Sequence, residues 1–250
     1  MNKYLFKVAR GIELRSVLAL LSAGIFTVGL QAAQLEEVVV TAQKRVQSEN
    51  DIGISMTTWT GDEIRDMGVA SAEDMGLNTP GLTVNEAAST GVPVYTIRGV
   101  GFQDYSAGAS STVGIYFDEV ALPYAVMTRG LVFDAARVEV LKGPQGDLYG
   151  RNTTGGQINF ISNAPTDSYE AGIIAGYGRY KTLDLEGFVS GPIGDAVKGR
   201  LAFKTIQSSE GWQKSVTDDD ELGEKDVTAV KGSLDIQLGE GASMLLRAQY

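Results

Sequence analysis

The chain contains no cysteine and no histidine. Without thiols there is no zinc ribbon, no CxxC redox centre and no cysteine nucleophile. Without imidazole there is no Ser-His-Asp triad and little zinc chemistry, so a hydrolase would have to run on carboxylates, lysine or tyrosine alone. The residues therefore point to a non-enzyme with no bound metal or cofactor. Proline is sparse, six among 250 residues. Beyond the first thirty residues no stretch holds the roughly 18 apolar residues that mark a membrane helix. A net charge of −10 argues against a nucleic-acid partner. What the chain does have is 31 glycines and 43% hydrophobic residues. Val, Ile, Thr and Tyr recur, which favours β structure with tight turns and enough core for one large or two modest domains.

The first segment reads as an address. Lys3, Lys7, Arg10 and Arg15 precede the apolar run Val17–Leu30, and Ala32 and Ala33 follow it. The run is shorter than the roughly 20 residues a spanning helix needs. Basic start, short apolar middle and small-residue end make a secretory signal peptide over residues 1–33, the alternative being an uncleaved anchor. Directly behind it stand Leu35, Glu36, Glu37, Val38, Val39, Val40, Thr41 and Ala42, followed by the polar stretch Gln43–Asn50. Three adjacent β-branched residues favour extended backbone. A short strand on a polar tether suits addition to the exposed sheet edge of a partner. It equally suits the first strand of the next domain.

Residues 51–163 alternate short strands with short helices. Thr60-Gly61-Asp62-Glu63 has the form of a capping box, with Ile64 and Met67 giving that helix an apolar side and Gly68 ending it. Ser71-Ala72-Glu73-Asp74 offers a second helix start, and Asn78-Thr79-Pro80-Gly81 a stop. Three blocks follow: Thr96–Gly101, Val113–Val120, and Phe133–Ser162. The last contains a strand at Val138–Leu141, a glycine-rich turn section and a strand at Gln157–Ile161. Gly143, Gly146, Gly150, Gly155 and Gly156 are not a phosphate cradle, because no GxxxxGK[ST] is present and Asp104 occupies the third position of a GxGxxG. Arg98, Glu139 and Lys142 lie beside strands, either as buried or interfacial ion pairs or as solvated surface charges.

From Ser168 onward the pattern changes to alternating segments of the length of tilted membrane strands: Tyr169–Tyr180, Leu183–Gly191, Val197–Ser208, Val227–Leu238 and Ala242–Tyr250. A turn is expected at Gly191-Pro192-Ile193-Gly194-Asp195 and a polar loop over Ser209–Asp226. The acidic run Asp218-Asp219-Asp220-Glu221 fails the EF-hand pattern and reads as exposed loop. Some five strands fall short of the about eight that close the smallest membrane barrel. The sequence therefore reads as the front part of a longer chain.

The ordered set LEEVVVTA, TIRGVG, VGIYFDEV and RVEVLKGPQGDLYGRNTTGGQINFIS resembles the TonB-dependent outer-membrane receptor family, most closely over residues 35–163. That resemblance implies an α+β plug domain of mixed short strands and helices at 43–165. The first antiparallel strands of a transmembrane β-barrel would follow at 168–250. It implies that Leu35–Ala42 are the TonB box, pulled by TonB and its inner-membrane energising complex. It also implies that Arg98, Glu139 and Lys142 lock plug to barrel, and that Gly143, Pro144, Gln145, Gly146, Tyr149, Gly150, Arg151, Asn152, Gly155 and Gly156 form the plug's glycine-rich motif. The other partners it implies are outer-membrane lipid and a small-molecule or metal-chelate ligand, a ferric siderophore by frequency, with cobalamin, haem and glycans also transported in the family. Three positions depart from the family pattern. Lys142 replaces an arginine, so a two-pronged fork becomes a point charge; Asp147 stands where threonine is common; Glu119 stands where glycine usually turns the strand. A periplasmic binding module made of the plug alone is the alternative reading. A signalling receptor would need a further domain ahead of the box, for which residues 33–35 leave no room.

Overall fold

Val113 and Ile115, Val138 and Val140, and Ile158 and Phe160 are each two residues apart, the period that places side chains on one face of a sheet. In the computed structural model all six are buried and share one core. The structure describes residues 39–40, 47–48, 52–86, 91–102, 108, 110–130, 132–217 and 220–250. The proposed signal segment, Leu35–Val38, Thr41 and Ala42 lie outside them.

In chain order the elements are β1 (Val39–Val40), β2 (Gln47–Ser48), β3 (Met56–Thr60), α1 (Gly61–Asp66), α2 (Ala72–Asn78), β4 (Leu82–Glu86), β5 (Pro93–Ile97), β6 (Val100–Gly101), β7 (Val113–Phe117), β8 (Val120–Ala121), β9 (Ala135–Lys142), α3 (Gly146–Tyr149) and β10 (Gly156–Ser162). Long strands then follow: β11 (Glu170–Gly178), β12 (Thr182–Gly194), β13 (Val197–Gln207), a small hairpin of β14 (Gln213–Lys214) and β15 (Glu221–Leu222), β16 (Asp226–Gly239) and β17 (Ala242–Gln249). No helix among the described residues is long and apolar enough to cross a membrane, which leaves strands untouched.

The first part is a mixed domain. Its main sheet runs β3-β9-β10-β7-β8, with β10 parallel to β7 and antiparallel to β9. A second sheet runs β4-β5-β6. The apolar face of the main sheet takes Ile64 of α1 and Met75 of α2, and the Phe117 and Phe160 rings stack 4.4 Å apart. Both helix starts use local side chains. The Thr60 hydroxyl accepts from Glu63 N while the Glu63 carboxylate accepts from Thr60 N at 2.8 Å. Asp74 reaches back to the amides of Ala70 and Ser71. These bonds satisfy amides that a helix start leaves unpaired.

The second part is one antiparallel sheet, β11-β12-β13-β16-β17. Its two faces differ. On β13, Arg200, Ala202, Lys204 and Ile206 are buried against the mixed domain, while Leu201 is 53% exposed. Val189, Ile173, Leu234 and Leu246 are likewise exposed on the outer face, in register with Leu201 or its outward neighbours. An apolar exterior and a polar interior on alternating residues is the pattern of strands that face lipid on one side.

Three details differ from the sequence reading. The turn expected at Gly191–Asp195 is displaced, because β12 continues through Gly194 with a bulge between Pro192 and Gly194, leaving the reversal to Asp195-Ala196. A bulge absorbs the proline, whose missing amide a regular ladder would expose. The polar loop after Gln207 contains the β14–β15 hairpin. Val39 and Val40 are already paired antiparallel, with Ser48 and Gln47 of their own tether.

Gly156 opens β10 with φ +148°, and a Cβ there would stand 2.8 Å from Ile97 Cδ1 and closer still to the Leu141 carbonyl. Gly156→Ala is therefore expected to destabilise the domain by about 2–4 kcal/mol, through backbone strain and overpacking together. A lowered denaturant midpoint of the purified receptor checks it.

Candidate functional site

The residues singled out in the sequence fall into two clusters, and the structure adds a third. The first cluster is the glycine-rich segment. Gly143 N donates to Gly155 O, Gln145 N to Thr153 O, and the Thr153 hydroxyl to Gly150 O at 2.7 Å, so the segment closes on itself. Gly150 and Asn152 have φ +74° and +69°, the left-handed region that glycine and asparagine tolerate. The expected turn section thus holds a short helix, α3, between two reversals. Pro144, Gly146 and Arg151 are exposed, whereas Gln145, Gly155 and Gly156 are buried. The Tyr149 ring packs edge-on against Tyr116, centroids 5.2 Å apart, and the Tyr116 hydroxyl donates to Tyr149 O.

Under this cap lies the second face of the main sheet. Glu139 is fully buried there. Its carboxylate accepts from Arg137 Nε at 2.8 Å and from Asn159 Nδ2 at 3.2 Å, and Gln157 donates to Asn159. Burial raises the Tyr149 phenol above its ordinary pKa; Asn159 offsets this in part, and the nearby Glu139 charge adds to it. The contacts seen for Glu139 lie inside the mixed domain.

Arg98 and Lys142 form the second cluster. Arg98 and Gly99 make the two-residue turn between β5 and β6, both with positive φ (51° and 80°). Arg98 is exposed and donates to the Ser55 hydroxyl at 2.7 Å, and Lys142 N donates to Ser55 O. Arg98 and Lys142 line one bay of about 830 Å³ with Ser55, Gly143 and Asp147. Burial lowers the Lys142 pKa, and the Arg98 charge lowers it further. Two cations that repel one another across a shared bay are the arrangement that an anionic group entering it would relieve.

The third cluster joins the mixed domain to the long-stranded sheet. Asp134 receives a fork from Arg200, whose Nε lies 2.9 Å and 3.0 Å from the two carboxylate oxygens and whose Nη2 lies 2.5 Å from Oδ1. Asp118 pairs with Arg247 at 2.9 Å and accepts from both the amide and the hydroxyl of Ser162. Lys231 donates to that same Ser162 hydroxyl at 2.8 Å and to Phe133 O at 3.0 Å. Glu186, itself paired with Lys204, accepts from Asp134 N. Ser190, Arg200, Ser233 and Arg247 stand side by side across β12, β13, β16 and β17, so a serine separates the two arginines. Phe133, Ala202, Ile206 and Ala229 pack as an apolar layer next to these charges.

Of the three clusters, this last was missed in the sequence. Its signal was parity: Arg200, Lys204, Lys231 and Arg247 occupy inward positions of three neighbouring strands, where an unpaired cation would be costly. Which acids meet them follows only from the fold.

Replacing Glu139 by leucine would remove the buried acceptor of Arg137 Nε and Asn159 Nδ2 beneath the glycine-rich cap. Loss of one partner from a buried charged network costs about 3–5 kcal/mol, so Glu139→Leu is expected to lower the urea midpoint read by tryptophan fluorescence.

Comparison with known proteins fits this geometry. Residues 48–157 match the model of the TonB-dependent receptor plug domain. The pesticin receptor of Yersinia pestis is 30% identical over 171 residues, 67% of this chain and 25% of its own length. The ferripyoverdine receptor of Pseudomonas aeruginosa is 30% identical over 218 residues, 85% of this chain and 25% of its own. This chain thus spans about a quarter of the length of these curated relatives. Among solved structures, the ferric yersiniabactin uptake receptor from Yersinia pestis superposes with a TM-score of 0.66 at 25% identity, covering 78% of this chain and 31% of that one. The ferripyoverdine receptor of the outer membrane of Pseudomonas aeruginosa gives 0.70 at 22% identity, a likeness of fold, covering 85% and 27%. With its plug signature, its capped glycine-rich segment and its sheet of outward-apolar strands, the chain belongs to the TonB-dependent outer-membrane receptor family.

Proposed function

We propose that this chain supplies the plug and the leading barrel strands of a receptor that takes up a ferric siderophore across the outer membrane. The observation that carries the reading is the docking of a plug domain on the inward, cationic face of strands whose outer face is apolar. The ligand class comes from relatives named for ferripyoverdine and for catecholate siderophores. On this reading residues 1–33 direct export, and the plug extends from 43 to 165. TonB pulls on Leu35–Ala42 by strand addition, using energy from its inner-membrane complex, so the work is transport and not catalysis.

Arg98 and Lys142 fit the role of a plug–barrel lock, because the two cations line one bay with Asp147 that a further carboxylate, from the barrel, would fill. Glu139 supports the sheet beneath, and the motif Gly143–Gly156 covers it.

Two measurements test the reading in a full-length receptor expressed in iron-starved cells. Val39→Pro removes a backbone donor from the strand offered to TonB. It is expected to abolish uptake of radiolabelled ferric siderophore while leaving surface binding intact; unchanged uptake refutes the handle. Arg98→Ala with Lys142→Ala is expected to raise passive entry of antibiotics too large for porins. An unaltered permeability removes these residues from the lock.

A further inference from the structure

We infer that the outer wall holds one acyl chain of a phospholipid, ordered in a groove over β12, β13, β16 and β17 in the periplasmic half of the membrane. The inference goes beyond the transport reading and draws only on the lipid-facing side of the strands.

The depth of the groove follows from the strands. Outward positions of β16 stay apolar from Leu238 through Ile236, Leu234 and Val230, and end at Thr228, whose hydroxyl bonds that of Thr205 at 2.9 Å. At about 3.3 Å per residue and a tilt of about 40°, the stretch from Leu238 to Thr228 spans roughly 25 Å, the height of the apolar band of an outer-membrane barrel. The short reversals at Asp195-Ala196 and Glu240-Gly241 mark its periplasmic end, and the longer connection after Gln207 its outer end. Leu234, four residues from Leu238, therefore lies in the periplasmic half.

Glycine makes the groove. Gly191 and Gly199 face each other across β12 and β13, and Gly232 stands opposite Leu201 on β16, all three on the outward side. Their missing side chains leave bare backbone as a floor. A Cβ on Gly191 would stand 2.6 Å from Tyr169 Cδ1, and one on Gly199 2.5 Å from Ile193 Cδ1, so these two side chains lean over the floor as walls. Nothing lies within 4 Å of the same point on Gly232. The result is a groove of about 540 Å³, walled by Tyr169, Val189, Ile193, Leu201, Leu234 and Leu246. It is local: Gly187, further along the same face, is covered by the Phe203 ring, whose Cε1 would lie 2.7 Å from a Cβ there. Glycine inside a strand weakens it and marks places where a ligand or another backbone comes close.

Three observations select an acyl chain as the occupant. The groove is continuous with the apolar face that lipid covers, so hydrocarbon stands at its mouth. The six wall side chains carry one polar atom, the Tyr169 hydroxyl, and Tyr169 is 80% exposed just ahead of β11, where membrane barrels place aromatic rings against headgroups. Water finds no set of partners in such a cleft, and an empty one forfeits dispersion contacts. The volume falls in the roughly 300–1,000 Å³ range of small-molecule sites, whereas a second protein copy needs a broad face of about 800 Å² a side. Arg200 and Arg247, which adjoin the groove, direct their charge inward to Asp134 and Asp118, so the chain and not the headgroup is what the groove recognises.

The test reconstitutes the full-length receptor in vesicles of phosphatidylcholine or of phosphatidylglycerol, extracts it into mild detergent and weighs it by native mass spectrometry. One retained phospholipid is expected from either vesicle. Gly232→Leu puts a side chain into the open space; it is expected to lower the lipid-bound fraction at least about tenfold and to leave siderophore uptake unchanged. Ala175→Leu, outward at the other end of the band, is expected to leave the bound fraction as it was. A receptor that keeps no lipid, one whose lipid survives Gly232→Leu, or one that loses it equally in Ala175→Leu overturns the inference. So does a receptor dimer that Gly232→Leu splits, which would put a second copy in the groove. Should Gly232→Leu fail to assemble, Ala248→Leu, beside it on β17, closes the same groove and is judged in the same way. Absent uptake in an unsubstituted receptor that still holds its lipid would count against the transport reading alone.

Discussion

A carboxylate taken out of water must find a cation, or it takes the fold with it. Asp134 is 7% exposed, and its partner Arg200 is 8% exposed on a strand 66 residues further along. Neither charge is tolerable alone at such depth. The rest of the interface is arranged around that requirement: Asn163 N donates to the Asp134 carbonyl, Glu186 accepts from the Asp134 amide, Lys204 balances Glu186, and a serine keeps Arg247 from crowding Arg200. The outer face of the same strands needs none of this, since Leu201, Leu234 and Leu246 have no polar atoms beyond the backbone, and the ladder pairs that backbone.

The two buried charge systems differ in kind. Glu139 and its partners lie within the plug and give the sheet a polar second face that the glycine-rich cap seals. Asp118 and Asp134 reach across to another sheet. The bay of Arg98 and Lys142 is a third condition, two like charges that share its lining with Asp147. At 142 a lysine presents a single ammonium to the bay, where an arginine would present a two-pronged fork.

Much of the fold was legible because local rules produced it. The Thr60 and Asp74 caps, the alternation through β9, β10 and β13, and the left-handed glycines all follow from residues close in sequence. The fourfold motif pattern made the domain order readable as well. The bulge that carries β12 past Pro192 was hidden, because Gly191-Pro192 has turn chemistry and only pairing with β13 overrides it. The pairing of Val39 and Val40 with Ser48 and Gln47 was hidden for a similar reason, since a polar tether carries no strand signal of its own. At the interface, parity marked the inward cations but not their partners. A lone aspartate after a strand, as at 118, looks the same whether it faces solvent or an arginine.

The spacing of the interface partners along the chain bears on how the receptor is built. Asp134 meets Arg200 across 66 residues and Phe133 meets Lys231 across 98, all within elements that follow the plug directly. Short loops close early, whereas distant pairings must wait for the chain to return. The mixed domain thus meets its ionic partners on β12 to β17, among the first long strands that follow it in the chain.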